Sequence, residues 1–254
     1  MEKDNLIISK ISDRIEQARS GDYTTTTGFL DSHEQALARS LVSSAGDLEL
    51  RLYGGYEDAE RRVLFCIPRG LSEYVDYEEV FAILRVEVLS SSRELTHRDY
   101  LGSLMGLGIE RTLIGDILVT NGPGQSADIV ILRDIADYLL HEYTQVGRED
   151  VRCHIAPLAE IRMPQYRTEL LRDTVPSLRL DNIIGAAFKL SRSNAVTAIK
   201  SGIVSIDHIE ATKPDAKVAE GSVLVVKGRG KAVLKEVGGE SKKGRIWIVV
   251  ERYI

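Results

Sequence analysis

The side chains best suited to chemistry in this 254-residue sequence lie in its last third. Arg179-Leu180-Asp181 is followed by Ser191-Arg192-Ser193-Asn194 and then by Lys200. Cationic and hydroxylated side chains bind phosphate groups, and a helix beginning at Ser193 would add free amide groups and the positive end of its dipole. The pattern predicts a surface that holds backbone phosphates of a nucleic acid without reading its bases.

Further basic residues extend this candidate surface, some of them around the glycines of Gly228-Arg229-Gly230. For any one of these residues a solvated charge or a helix cap is the simpler interpretation, and we expect Asp181 and Ser193 to cap helices. Their ordered combination favours RNA binding. The residues predicted to contact RNA are Arg179, Lys189, Ser191, Arg192, Ser193, Asn194, Lys200, Lys213, Lys227, Arg229 and Lys231.

The charges are divided unevenly along the chain. Residues 178–254 hold 14 Lys and Arg against 8 Asp and Glu, a balance of +6, which leaves −11 for residues 1–177. A basic C-terminal third on an acidic body is typical of a protein with a polyanionic partner, most often a nucleic acid.

Hydrophobic periodicity predicts an α+β fold with three domains. Residues 1–75 read as a mixed unit of two helices, the second capped by Asp31 or Ser32, and two strands. Residues 76–165 give the order βαββαβ, the split unit of ferredoxin-like and RNA-recognition-motif folds, with a turn at Asn121-Gly122-Pro123-Gly124. Residues 166–254 read as a linker followed by two helices and short strands, the helices carrying the candidate surface.

The middle domain offers a second polar surface, formed by His97, Arg98 and Arg111 beside glycine turns. Alternatively, Arg111 is a surface ion-pair partner, and Thr96 and Asp99 cap a helix. The predicted strand at residues 128–132 carries no aromatic residue, so base stacking on the sheet is not expected there. Phe81 is expected in the core.

Signatures of enzymes are weak in this sequence. Gly106-Leu107-Gly108 lacks the third glycine of a dinucleotide site and no P-loop occurs, so we expect no cofactor. The five histidines have no close metal-ligand spacing, and Cys66 and Cys153 are expected as buried thiols. The absence of a signal peptide and of a long apolar stretch predicts a cytoplasmic protein without a membrane partner.

The C-terminal pattern resembles the RNA-binding domain named after ribosomal small-subunit protein S-four, the alpha-L motif. The body carries further motifs, namely Gly28-Phe29-Leu30-Asp31, Gly54-Gly55-Tyr56, Glu60-Arg61, Leu95-Thr96-His97-Arg98-Asp99-Tyr100-Leu101-Gly102, Gly106-Leu107-Gly108-Ile109-Glu110-Arg111 and Ile114-Gly115-Asp116-Ile117-Leu118-Val119. With these motifs the chain resembles the YlmH family, which is bacterial and is associated with ribosome quality control. This resemblance implies a three-domain protein on a large ribosomal subunit obstructed by peptidyl-tRNA, contacting ribosomal RNA and tRNA mainly through its C-terminal domain.

Two other functions stay open at this point. Arg179-Leu180-Asp181 is also similar to the catalytic stretch of pseudouridine synthases, so the chain could be an RNA-modifying enzyme that uses its C-terminal domain for targeting. An acidic body also suits a scaffold linked to cell division. The leading interpretation is a monomeric, non-enzymatic RNA-binding factor.

Overall fold

The computed structural model describes residues 2–41, 45–90, 93–120, 125–164, 168–207 and 209–253. The chain folds as two compact units, Met1–Gln165 and Tyr166–Ile254. The second unit begins where the sequence predicts its third domain. The first unit contains both of the other predicted domains, residues 1–75 and 76–165.

The described part of the first unit has helices on the outside of two sheets. The strands are ordered β1-β3-β2 in one sheet and β5-β6-β4-β8-β7 in the other. The elements are α1 Glu2–Gly21, β1 Thr25–Leu30, α2 Ser32–Ser40, β2 Glu49–Tyr53, β3 Arg62–Ile67, β4 Phe81–Val88, α3 His97–Gly106, β5 Ile114–Thr120, β6 Ser126–Leu132, α4 Ala136–Glu142, β7 Gln145–Val146 and β8 Glu149–Ala156.

Local sequence rules account for the first helices. Helix α2 begins after Asp31, whose carboxylate accepts the Glu34 N–H while the Glu34 side chain accepts the Asp31 N–H, which confirms Asp31 as the cap. Strand β1 was not predicted, because Thr24 to Thr27 is a polar run without apolar alternation. None of the described helices is long and apolar enough to cross a membrane.

The predicted βαββαβ order is observed from β4 to β8, and helices α3 and α4 pack on one face of that sheet through a core that includes Leu84, Tyr100 and Leu139. The Thr96–Asp99 cap of α3 is confirmed, since the Asp99 carboxylate accepts both the N–H and the hydroxyl of Thr96. The predicted turn at residues 121–124 lies outside the described residues.

The opposite face of the same sheet is covered by the N-terminal sheet. Phe65 of β3 packs with Phe81 and Ile83 of β4 and Val130 of β6 in one buried cluster. An RNA-recognition motif leaves this face open for bases, so that mode of binding is closed here. This shared core joins residues 1–75 to residues 76–165 within the first unit.

A buried carboxylate reinforces the first unit. Asp128 on β6 is fully buried and accepts two hydrogen bonds from the Arg85 guanidinium, at 2.9 and 2.8 Å. Arg162, on the segment after β8, adds its own N–H and guanidinium at 2.8 Å each. Burial raises the pKa of Asp128, but these bonds lower it further than burial raises it, so the pKa lies below its usual value.

The second unit has two helices against one antiparallel sheet, ordered β11-β10-β12-β13-β14-β9 in the described residues. Its core includes Ile183, Ile199, Leu224 and Ile248. The elements are β9 Thr168–Val175, α5 Leu180–Phe188, α6 Arg192–Lys200, β10 Val204–Ile206, β11 Ile209–Glu210, β12 Val223–Val226, β13 Gly230–Glu240 and β14 Ile246–Tyr253.

Three strands of this sheet were missed from the sequence, one of which is the two-residue β11, paired with β10. The predicted linker contains β9, which pairs with β14 along its whole length, from Thr168 opposite Tyr253 to Val175 opposite Ile246. Its polar residues do not alternate cleanly with apolar ones, so periodicity does not reveal it. Strand β13 contains Gly238 and Gly239, which weaken the strand signal.

The Asp128 cluster gives a direct test of the first unit. We expect Asp128→Asn to lower the free energy of unfolding by about 3–5 kcal/mol, because the neutral amide leaves the Arg85 charge in place without its carboxylate. Urea denaturation followed by circular dichroism measures the change. Asp134→Asn is the control, since Asp134 is exposed, and it should stay within about 0.5 kcal/mol. Equal stabilities for the two variants would contradict the assigned role of the cluster.

Candidate nucleic-acid interface

Helix α5 presents a closed N-terminus. Its N-cap is Arg179, and Asp181 lies inside the helix, so the expectation that Asp181 caps α5 is wrong. The N–H groups of Leu180 and Asp181 donate to the carbonyls of Ala216 and Pro214, at 2.8 and 3.0 Å. These groups are already satisfied by the protein, so they are not offered to a phosphate.

The Asp181 side chain has a different role, because it connects the starts of both helices. Its carboxylate is 1% exposed and accepts from the Arg179 guanidinium at 3.1 and 3.2 Å. Arg192, the first residue of α6, donates at 3.4 Å to Oδ2, the oxygen that also accepts the longer of the two bonds from Arg179. Burial raises the pKa of Asp181, while Arg179 and then Arg192 lower it to a net value below its usual range.

Helix α6 presents an open N-terminus. Its N-cap is Ser191, whose hydroxyl accepts the Asn194 N–H at 3.2 Å, so Ser193 is not the cap that the sequence predicts. Ser193 lies in the first turn, and its hydroxyl is 3.0 Å from that of Ser191. All four residues from Ser191 to Asn194 are exposed.

The first turn of α6 carries Arg192 and no acidic residue. A helix is stabilised by acidic side chains at its positive end, so a cation there is unfavourable for the isolated helix. Arg192 is 74% exposed although one of its nitrogens faces Asp181. The pairing with Asp181 compensates for this cation, and most of its guanidinium stays accessible.

A second basic group lies at the other end of α6. Lys200 ends the helix, and the following chain is bonded to the β12–β13 turn, because the Lys227 N–H donates to the Ile203 carbonyl at 2.9 Å. Lys200, Lys227 and Arg229 are exposed. Arg192 and Lys200 are eight residues apart on one helix, which is about 12 Å along its axis.

The β12–β13 turn requires glycine for its backbone conformation. Gly228 and Gly230 have φ angles of 81° and 108°, which other residues rarely adopt. A Cβ atom on Gly228 would meet nothing within 4 Å, so close packing is not the reason for this glycine. Lys231 follows on β13, and its ammonium lies 5.0 Å from the centre of the Tyr253 ring.

Lys213 and Lys189 are the remaining residues predicted to contact RNA. Lys213 is exposed in the loop whose Pro214 carbonyl closes the α5 N-terminus. Lys189 ends α5 in a left-handed conformation with φ 53°, two residues before Ser191, and its ammonium is 4.0 Å from Glu169. Of the eleven predicted residues, Arg179 and Lys213 thus lie at the start of α5, and the others lie in the α5–α6 connection, on α6 or at the β12–β13 turn.

The structure places two of the three residues predicted to form a polar surface on the first unit, His97 and Arg111, within reach of each other. His97 begins α3 and lies within electrostatic reach of Arg111. Arg98 follows His97 in the helix and is exposed. Arg111 donates to the carbonyls of Ile114 and Gly115. It has no ion pair in the described residues, so the alternative prediction that Arg111 is a surface ion-pair partner is wrong. Partial burial and then the Arg111 charge lower the pKa of His97.

Arg61 is the residue that sequence reasoning missed at this surface. Its guanidinium donates to the carbonyls of Phe29, Arg111 and Ile114, while its own N–H and that of Glu60 donate to the Asp116 carboxylate. Burial and the neighbouring Arg61 charge lower the pKa of Arg111 to about 10. The sequence signal for this site was that Arg61, Arg111 and Asp116 each belong to a motif shared with the family, and these three motifs meet at this surface.

The thiols are not activated. Cys66 is buried as expected, whereas Cys153 is only half-buried, which corrects the expectation for that residue. Desolvation raises the pKa of Cys66 to about 11 and that of Cys153 to about 12, so both remain protonated near neutral pH. Within the described ranges, no group of three or more His, Cys, Asp or Glu side chains is placed to hold a metal ion.

Three comparisons with known proteins agree. Residues 73–160 match the family model described as "Putative RNA-binding domain in YlmH". The chain is 32% identical over 227 residues to the ribosome-associated protein quality control protein P2 of Bacillus subtilis (strain 168), which covers 89% of this chain and 86% of that protein. It also matches the solved structure of the cell division protein ylmH from Streptococcus pneumoniae, with TM-score 0.50 and 25% identity over 63% of this chain and 94% of that one.

The fold and these matches define a mixed α/β protein whose first unit contains an RNA-binding domain of the YlmH type. At the identity and coverage of the Bacillus subtilis relative, the family is settled. The chain belongs to the YlmH family.

The two ends of α6 can be tested together. We expect Arg192→Ala combined with Lys200→Ala to weaken binding to structured RNA and to reduce the salt slope by about two units, one for each lost phosphate contact. The melting temperature should change little, because Arg179 still pairs with Asp181. Affinity is measured by RNA titration at several salt concentrations.

The matched control removes the same net charge from the first unit. Lys10 and Arg148 are exposed, and Lys10→Ala combined with Arg148→Ala should leave both affinity and salt slope unchanged. If the two double variants bind alike, net charge rather than the α6 surface determines RNA binding.

Proposed function

We propose that this chain is an RNA-binding factor that holds structured RNA through its second unit. The observation that carries this proposal is helix α6, which has an open N-terminus with Arg192 in its first turn and Lys200 at its other end. Two phosphate contacts about 12 Å apart on one rigid element fix the position of an RNA backbone without reading its sequence. The positive balance of this unit attracts the polyanion from a distance.

The RNA that we propose is ribosomal RNA with tRNA, on a large ribosomal subunit that carries a stalled peptidyl-tRNA. The Bacillus subtilis relative is named a ribosome-associated protein quality control protein, which supports this context. The chain would act there as a cytoplasmic monomer, with an S-four-type second unit as its main contact.

The first unit would add a lesser contact. The family model for an RNA-binding domain falls on this unit, yet the sheet face that would stack bases is covered by the N-terminal sheet. RNA would therefore reach loops and helix ends instead, and His97, Arg98 and Arg111 are the proposed secondary surface. This contact would be weaker, because the first unit has an acidic balance.

Binding without turnover is the proposed activity. The Cys66 and Cys153 thiols are protonated. Arg179 and Arg192 hold the Asp181 carboxylate in ion pairs. A carboxylate that is 1% exposed cannot reach a nucleoside in its present place, which argues against a pseudouridine-synthase role for this aspartate.

Sedimentation with purified ribosomal subunits tests this function. We expect the chain to sediment with large subunits that carry peptidyl-tRNA, less with empty large subunits and not with small subunits. Binding should fall steeply with salt because counterions are released from the phosphates. RNA from the same mixtures is digested and its nucleosides are analysed by mass spectrometry.

The Arg192→Ala, Lys200→Ala variant is the negative control in this experiment. Equal sedimentation of the variant and the natural chain would contradict the proposed surface. A modified nucleoside that accumulates only with the protein would contradict binding without turnover and support an RNA-modifying enzyme.

A further inference from the structure

The second unit has a sheet face that α5 and α6 leave uncovered. Directly paired residues of neighbouring antiparallel strands point to the same side of a sheet. Ile248 and Val250 face the helices, so Trp247 and Val249 face the other way. We call the outer face the side formed by Leu170, Arg172, Thr174, Trp247, Val249 and Glu251.

Trp247 is the prominent residue of this outer face. Its side chain is 51% exposed although it lies within a paired strand, with Thr174 opposite on β9. On its other side is Gly238 of β13, where a Cβ atom would lie 3.1 Å from the Cβ of Trp247. Glycine weakens a strand and often marks a place where another group approaches closely. Because Gly238 has no side chain, the strand surface beside the indole is open.

Basic residues lie on β9 beside this indole and in the turn that precedes its strand. Arg172 is exposed, lies opposite Val249 and is therefore the diagonal neighbour of Trp247 on the same face. Lys242 and Lys243 are exposed in the β13–β14 turn, next to Arg245. The Arg245 guanidinium donates to the hydroxyl of Thr174 at 2.9 Å and to its carbonyl, which fixes the turn against β9.

The outer face is charged rather than simply apolar. Glu236 of β13 lies opposite Val249, so this exposed carboxylate is the diagonal neighbour of Trp247 on the side away from Arg172, and the cations Arg172, Lys242 and Lys243 outnumber it. The Glu251 carboxylate is already paired with Lys235, at 2.9 Å. The two exposed apolar side chains, Leu170 and Trp247, are separated along the sheet by Arg172. A protein partner would need a continuous apolar patch, whereas one planar ring beside cations matches one base beside its phosphates.

We propose that Trp247 stacks on an unpaired base of RNA, with Arg172, Lys242 and Lys243 contacting the neighbouring phosphates. This inference rests on the proposed RNA-binding function and adds to it a preference for single-stranded or looped RNA. Helix α6 holds backbone phosphates of any structured RNA, whereas a stacking ring requires a base that is free of its helix.

Intrinsic fluorescence gives a direct test, because Trp247 is the one tryptophan in the sequence. The full chain is titrated with a short single-stranded RNA and with a blunt duplex that contains it. We expect single-stranded RNA to quench the fluorescence and the duplex to bind without comparable quenching. Trp247→Ala should lose about tenfold in affinity for the single strand and little for the duplex.

Two variants control for loss of an aromatic ring as such. Trp247→Phe keeps a stacking surface and should retain most of the affinity. Tyr74→Ala removes a tyrosine that is 78% exposed in the first unit and should change nothing. If Trp247→Ala lowers the melting temperature strongly, the stacking site is judged from fluorescence quenching of the natural chain and from the affinity of Trp247→Phe.

The contrary outcomes are distinct. RNA that binds without quenching, with equal affinity for Trp247→Ala, overturns the stacking site and leaves the proposed function standing. A chain that binds neither RNA overturns both. A concentration-dependent doubling of mass that Trp247→Ala abolishes assigns the outer face to a second copy of the chain and overturns the proposal.

Discussion

The carboxylate of Asp181 lies almost out of contact with water between two arginines, and the geometry of the basic surface depends on it. Arg179 stands before α5 and Arg192 begins α6, so one buried anion fixes the relative positions of two helix starts. A buried carboxylate is costly unless its charge is paired, which its lowered pKa reflects. Arg192 keeps an exposed guanidinium that is oriented before any RNA arrives.

Each unit contains a buried aspartate that pairs with two arginines, but the two aspartates have different structural roles. In the first unit, Asp128 joins Arg85 to Arg162 and thus attaches the segment after β8 to the sheet. In the second, Asp181 organises cations that remain largely exposed. The first cluster stabilises a fold whose sheets are both covered, and the second keeps a charged surface in one conformation. This difference is consistent with RNA contact mainly through the second unit.

The sequence predicts the helices and strands better than it predicts what they pack against or pair with. Alternation in β4 and the capping box of Thr96 identify the βαββαβ order, because these signals are local. The apolar run of β3 indicates burial on both faces, but not that one face meets the sheet of β4. Asp181 and Ser193 look like caps, yet Arg192, eleven residues beyond Asp181, determines that this carboxylate is an ion-pair centre. Strand β9 was missed because its stability comes from pairing with β14 rather than from its own pattern.

The measurement that separates the two units most directly compares Met1–Gln165 with Tyr166–Ile254 in RNA titrations over a range of salt concentrations. Circular dichroism first establishes that each piece is folded. We expect Tyr166–Ile254, including β9, to keep most of the affinity of the full chain and a steep salt dependence, and Met1–Gln165 to bind weakly. Tight, salt-dependent binding by Met1–Gln165 with none by Tyr166–Ile254 would contradict this expectation.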